Sequence, residues 1–274
     1  MIAFLAGRAR RAVVTACCRI GHATLAFVAL LSAQALAQPA VAEIRIAFVG
    51  DSMSDGIWGG LVRMTSTDPC LKGQFDLGRF GNNGTGLTRP DRFDWPQEVK
   101  RIMTTFRPDL LVVSLGLNDR QFIVDVNAGK AHIEYGTPEW IPKYTEQVTA
   151  FLQNGSEARA GLLWIGIPVM RDPVANNDAL EKNKIYSGAI ANLGNSKVQF
   201  VQPWRLNPNG PEAFKSIGPG RDGSIIALRA PDGVHFTSAG YDMLASYLYP
   251  KIVENLEQNQ IAVPRSCGKQ AGHS

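Results

Sequence analysis

The chain has 274 residues, enough for one α/β domain or two small ones, and its 45% hydrophobic content excludes global disorder. The formal charge of +4 comes from 28 basic and 24 acidic side chains, but Arg8, Arg10, Arg11 and Arg19 supply the whole excess. Beyond them the charges balance, so the pI of about 8.9 reflects the N-terminus. No concentrated basic patch of the kind nucleic acid requires remains.

The first 37 residues carry those four arginines and no acidic side chain. An apolar stretch, Ala23 to Leu31, and the triplet Ala35-Leu36-Ala37 follow. This is the layout of a secretory signal peptide with an A-x-A cleavage site. The expectation is export to the periplasm or beyond, with cleavage; an uncleaved anchor is the alternative. The apolar stretch is short and flanked by His22, Ser32 and Gln34, which argues against a stable membrane span. Cys17 and Cys18 would leave with the leader. Cys70 and Cys267 would remain, either as one disulfide or as two free thiols.

From residue 38 onward the pattern predicts a single domain. Ile44 to Val49 is an apolar run, broken only by Arg45, that stops at Gly50-Asp51-Ser52. Such a run fits a strand buried on both faces. Ile57 to Met64 reads as a helix and Phe75 to Phe80 as a weaker strand. A glycine-rich turn follows, Gly81 to Gly86. Pro96 to Phe106 reads as a helix, Asp109 to Leu115 as the strongest strand, and Gly116-Leu117-Asn118-Asp119 as its terminating turn. Thr137 to Leu152 is predicted helical with a break at Pro142. Gly161 to Ile167 is a fourth strand, Asn177 to Leu193 a helix, and Lys197 to Val201 a fifth strand. Asn207 to Arg229, rich in glycine and proline, reads as an elaborated loop. Ser238 is expected to cap a last helix running to about Leu256. Strands alternating with helices imply a mostly parallel five-stranded sheet with right-handed crossovers.

In such sheets ligands meet the carboxyl ends of the strands. Ser52 stands at that edge on a tight turn, where a hydroxyl can act as a nucleophile if a base and anion donors lie near. His235 is the candidate base. Asp232, three residues earlier across Gly233, can accept from its Nδ1–H and leave Nε2 to take a proton. His132, in a polar stretch, has no evident partner, and His273 lies in the tail. The N–H of Ser52, the N–H of Gly84 and the amide of Asn118 are candidate donors to an oxyanion. Trp58 is a candidate for lining the pocket. Arg120 and Arg229 could meet an anionic or sugar substrate or make surface ion pairs. Asp119 reads as structural. No His/Cys cluster at ligand spacing implies a metal, and no cofactor is implied.

The four blocks VGDSMSDG, GNNGTGL, SLGLNDRQ and APDGVHFT stand in the order of the GDS, glycine, GxND and DxxH blocks of the SGNH (GDSL-type) hydrolases. The chain resembles that superfamily from Ile44 to Leu256. TRPDRFDWP, LLWIGIPVMRDP and LRAPDGVHFTSAGYDMLA further resemble an uncharacterised exported bacterial branch of it. The resemblance implies a three-layer, flavodoxin-like sandwich with Ser52 as nucleophile, His235 as base and Asp232 orienting it. It also implies Ser52, Gly84 and Asn118 as the oxyanion hole. The glycine block departs from the usual Gly-x-Ser-Gly, so Gly86 stands as an alternative donor. The implied function is an exported serine esterase acting on small-molecule or carbohydrate esters, including removal or transfer of O-acetyl groups on polysaccharide. A catalytically silent envelope binding protein that keeps the fold is the alternative.

Overall fold

The computed structural model describes residues 43–129, 131–156, 160–203 and 213–267. The expected leader, Trp204, His273 and the 207–212 part of the expected insertion lie outside them. Five strands form the central sheet: β1 (Ile44–Gly50), β2 (Phe75–Gly81), β3 (Leu110–Ser114), β6 (Gly161–Ile165) and β7 (Val198–Val201). Their order is β2-β1-β3-β6-β7, and every neighbouring pair is parallel. Two short hairpins stand apart: β4 (Ile123–Asp125) with β5 (Ala131–Ile133), and β8 (Ile217–Pro219) with β9 (Ile225–Ala227).

The alternation of strand side chains sorts the core into two layers. Ala47, Val49, Leu111, Val113, Leu162 and Trp164 face one side, packing with Val99 and Ile102 of α2 (Trp95–Thr105), Val148 and Phe151 of α3 (Trp140–Gly155), and Tyr186 of α4 (Pro173–Leu193). Ile46, Phe48, Leu110, Val112, Leu163 and Ile165 face the other, against Met53, Ile57 and Leu61 of α1 (Ser52–Thr67) and Leu244, Leu248 and Ile252 of α5 (Ser238–Gln258). The result is a three-layer α/β sandwich. Each buried valine, leucine, isoleucine, methionine or phenylalanine among them contributes about 1.5–3 kcal/mol.

Several boundaries differ from expectation for local reasons. Helix α1 begins at Ser52 rather than Ile57, because the Asp51 side chain accepts from Met53 N and caps it. The glycines that weaken its sequence signal serve close packing: a Cβ at Gly56 or Gly60 would overlap Tyr241 of α5. Helix α3 is unbroken, since Pro142 falls in its first turn, where no N–H is needed. Thr237, not Ser238, caps α5, its Oγ1 accepting from Gly240 N at 3.0 Å.

Cys70 and Cys267 form a disulfide that ties the C-terminal segment to the residues following α1. Cys267 N and the Ser266 hydroxyl both donate to the Asp68 carboxylate beside it. Among the described residues no helix is long and apolar enough to cross a membrane.

Candidate active site

Strand β1 delivers its carboxyl end to the site through Gly50. This residue has φ +144°, and a side chain there would run into the backbone carbonyl of Ser114 on β3, so only glycine lets the two strands end together. The chain then turns through Asp51 into α1, whose first residue is Ser52. An N–H in a helix's first turn has no partner within the helix and sits at the positive end of its dipole. The N–H of Ser52 is therefore a ready anion donor.

The Ser52 Oγ lies 2.7 Å from Nε2 of His235, and His235 Nδ1 lies 2.6 Å from Oδ2 of Asp232. The other oxygen of Asp232 accepts from Val234 N at 2.8 Å and His235 N at 3.0 Å. Gly233, at φ +76°, makes the tight turn that folds the aspartate back onto those amides. Partial burial disfavours ionisation of Asp232, but the hydrogen bonds from the His235 ring and the two amides outweigh it and hold the carboxyl at about 2. Asp232 is thus a carboxylate across the neutral range, and it holds the proton of His235 on Nδ1. That leaves Nε2 as an acceptor facing Ser52.

Hydrogen bonds join the four blocks. Asn82 N donates to Gly50 O at 2.8 Å, tying the glycine turn to the nucleophile turn. Leu117 N donates to Asp51 Oδ2 at 3.2 Å, tying in the turn after β3. Asn118 Nδ2 donates to Thr85 O at 2.9 Å, joining those two turns to each other. The Ser52–His235 contact brings in the loop before α5. Asn118 spends one amide hydrogen on Thr85 and has a second beyond it. Gln121 Nε2 donates to Asn118 O at 2.6 Å and fixes the turn from behind.

The two candidate glycines separate clearly. Gly84 is exposed, has open space where a side chain would be, and its N–H has no hydrogen-bond partner among the described residues. Gly86 is buried, and a Cβ there would overlap the Asp119 carboxylate, so it is a close-approach position. Asp119 itself is fully buried and accepts from Leu87 N, Thr88 N, Thr88 Oγ1 and Tyr144 OH, at 3.1, 3.0, 2.9 and 2.8 Å. It braces the turns, as its sequence reading as structural implies.

Other residues singled out in the sequence have these contacts. Trp58 donates its indole N–H to Leu77 O at 2.9 Å. Leu77 pairs with Ile46, four residues short of the edge at Gly50, so this bond ties α1 to mid-sheet. Arg120 lies over the ring of Tyr135, 5.5 Å from its centre. Arg229 is buried and turned to backbone carbonyls rather than to a surface ion pair. His132 has a partner after all, stacking on Phe122 at 4.4 Å.

Sequence reasoning missed the part played by Asp51. Its carboxyl links the first turn of the nucleophile helix, through Met53 N, to the turn after β3, through Leu117 N. Burial pushes it up to about 7, against the pull of those hydrogen bonds. An aspartate just before a strand-end serine is the available signal, as an N-cap.

The architecture is the SGNH hydrolase fold. It is similar to a carbohydrate esterase family 3 structure from Talaromyces cellulolyticus at TM-score 0.50 and 18% identity, covering 79% of this chain and 99% of that one. It is also similar to Axe2, an acetylxylan esterase from Geobacillus stearothermophilus, at TM-score 0.51 and 17% identity, covering 78% and 94%. A catalytic mutant of the same enzyme matches at TM-score 0.52 and 15% identity, covering 81% and 97%. At these identities the likeness establishes the fold. No curated protein matches the chain in sequence. A family model described as "Protein of unknown function (DUF459)" matches residues 45–251, and the chain belongs to that family.

Proposed function

We propose that the protein is an exported serine esterase that removes O-acetyl groups from carbohydrate, or transfers them, through an acyl-enzyme on Ser52. The observation that carries this reading is the continuous line Ser52 Oγ, His235, Asp232, with contacts of 2.7 and 2.6 Å. A binding role would need none of the three groups in that alignment.

In the first half-reaction His235 Nε2 takes the proton of Ser52 as Oγ bonds to the ester carbonyl carbon. The carbonyl oxygen becomes an anion, stabilised by the N–H groups of Ser52 and Gly84 and the second amide hydrogen of Asn118. The intermediate collapses, the carbon–alkoxide bond breaks, and His235 gives its proton to the departing alcohol. In the second half His235 deprotonates water, or an acceptor alcohol, which attacks the acyl group and restores the Ser52 hydroxyl. Asp232 keeps the ring in one tautomer and balances the imidazolium.

The acetyl-carbohydrate assignment draws on the fold relatives, whose names are those of acetylxylan and carbohydrate esterases. Export draws on the leader layout of residues 1–37, and a disulfide between Cys70 and Cys267 suits an oxidising compartment. The test is hydrolysis of p-nitrophenyl esters of increasing chain length, together with acetate release from acetylated xylan and peptidoglycan. The reading expects the acetyl ester to be the best of the series. No turnover by the wild type, or a preference for long acyl chains, would overturn the acetyl assignment.

A further inference from the structure

Arg229 is a buried charge, 6% exposed, for which the proposed chemistry has no step. It opens the loop that carries Asp232 and His235. That loop folds back on itself: Arg229 bridges Phe236, Ala230 N donates to His235 O at 2.8 Å, and Thr237 N donates to Leu228 O at 3.0 Å. The Arg229 side chain bonds along the inside of the loop. Its Nε donates to His235 O at 3.3 Å, and its Nη2 to Val234 O at 2.7 Å and Gly233 O at 3.5 Å. Its Nη1 crosses to Val169 O at 2.8 Å, on the segment between β6 and α4. The rings of Phe236 and Phe214 lie 4.5 and 4.9 Å from its Cζ.

No carboxylate pairs with this guanidinium among the described residues. Burial pushes it down to about 10, so it is a cation at neutral pH. A desolvated charge without an ion pair is costly, and here backbone carbonyls take the place of a carboxylate. From outside the loop, Arg171 N donates to Gly233 O at 3.1 Å and its Nη1 to Pro231 O at 2.7 Å. The peptide carbonyls from Gly233 to His235 are thus gripped in a fixed direction by a rigid fork.

We infer that Arg229 is a positioning residue for the reaction: its planar guanidinium fixes the backbone of residues 233–235 and thereby the aim of His235 Nε2 at Ser52. The inference rests on the serine-esterase reading. Lysine, a point charge on a flexible stem, cannot reproduce four bonds spread over four carbonyls. A loop displaced by ~1 Å would take the 2.7 Å contact out of hydrogen-bond range, a misplacement that costs on the order of 10²-fold in rate.

The test uses the full chain as wild type, Arg229→Met and Arg229→Lys, with folding checked by circular dichroism. Turnover of p-nitrophenyl acetate and the rate of fluorophosphonate labelling at Ser52 are measured at 25 °C. Arg229→Met is expected to lose ~10²-fold in both kcat and labelling rate, with KM changed little, and Arg229→Lys to fall between it and wild type. An arginine that only supports the fold would lower Tm and leave both rates unchanged per folded molecule, which overturns the inference. If Arg229→Met does not fold, the lysine variant decides, and wild-type rates there overturn it. Failure of both variants to fold makes Arg229 a folding residue and also overturns it. Absence of labelling in the wild type removes the esterase reading, whereas labelled wild type with equally fast variants removes only the role of Arg229.

Discussion

Replacing Asp232 by asparagine tests the logic of the triad through a choice the side chain cannot make well. One carboxylate oxygen faces Nδ1 of His235 at 2.6 Å; the other accepts two backbone N–H groups at 2.8 and 3.0 Å. If the asparagine oxygen stays on the amides, its NH₂ faces Nδ1 and forces the ring to accept there. Nε2 then carries the hydrogen and cannot take the Ser52 proton. If the amide flips, the productive tautomer survives, but NH₂ now opposes two backbone donors. Leaving a backbone donor unpaired costs about 1–3 kcal/mol, so the flip, which strands two, forfeits about 2–6 kcal/mol. Asp232 is half exposed, its side chain retaining 48% of its surface, so water offsets part of this and the lower half of the range applies. At 1.36 kcal/mol per decade, kcat should fall ~10²–10³-fold. KM should change little, because Asp232 reaches the ester only through His235. Asp232→Ala, which leaves the tautomers free, should be no worse than Asp232→Asn. Steady-state hydrolysis of p-nitrophenyl acetate measures both, and an Asp232→Asn enzyme within tenfold of wild type would refute the reasoning.

Two further expectations concern stability. Folding raises the Asp51 carboxyl from 3.8 to about 7, so the native state holds its proton where the unfolded chain has lost it. Its contribution is therefore fully present below pH 4 and is lost as pH rises to 7, by up to about 4 kcal/mol. Relative to wild type, Asp51→Asn should accordingly gain stability across that interval in urea melts; a difference that stays flat from pH 4 to 7 would count against a buried, proton-holding Asp51. The Cys70–Cys267 bridge closes a loop with a sequence separation of 197. Chain entropy alone assigns it about 5 kcal/mol, so reduction should lower Tm clearly while leaving kcat at 25 °C near its oxidised value. An unchanged Tm would show that the tail contributes little to the fold.

The parts legible in the sequence were those encoded locally. Strands β1, β3 and β6 stand out because both faces are buried, so their runs are nearly uninterrupted. Asp232 and His235 are read together because three residues across a glycine suffice to join them. The less legible parts depend on partners far along the chain. Asp51 meets Leu117 and Asp119 meets Tyr144, and no spacing within a block announces either contact. The β4–β5 hairpin has three-residue strands, too short for an alternation to register. Trp58 stands close to Ser52 in sequence, but the intervening helical turns bring its indole to Leu77 at mid-sheet, which no local pattern announces. Arg229 could be read as a substrate contact or a surface ion pair because nothing local shows that its neighbours are carbonyls.

The central claim is that Ser52 is a nucleophile activated by His235. Its most direct test is to treat the folded protein with a fluorophosphonate probe and map the adduct by mass spectrometry. The account predicts a single adduct on Ser52, lost in Ser52→Ala and strongly slowed in His235→Ala. A folded wild type that stays unlabelled, or one labelled as fast without His235, would contradict it.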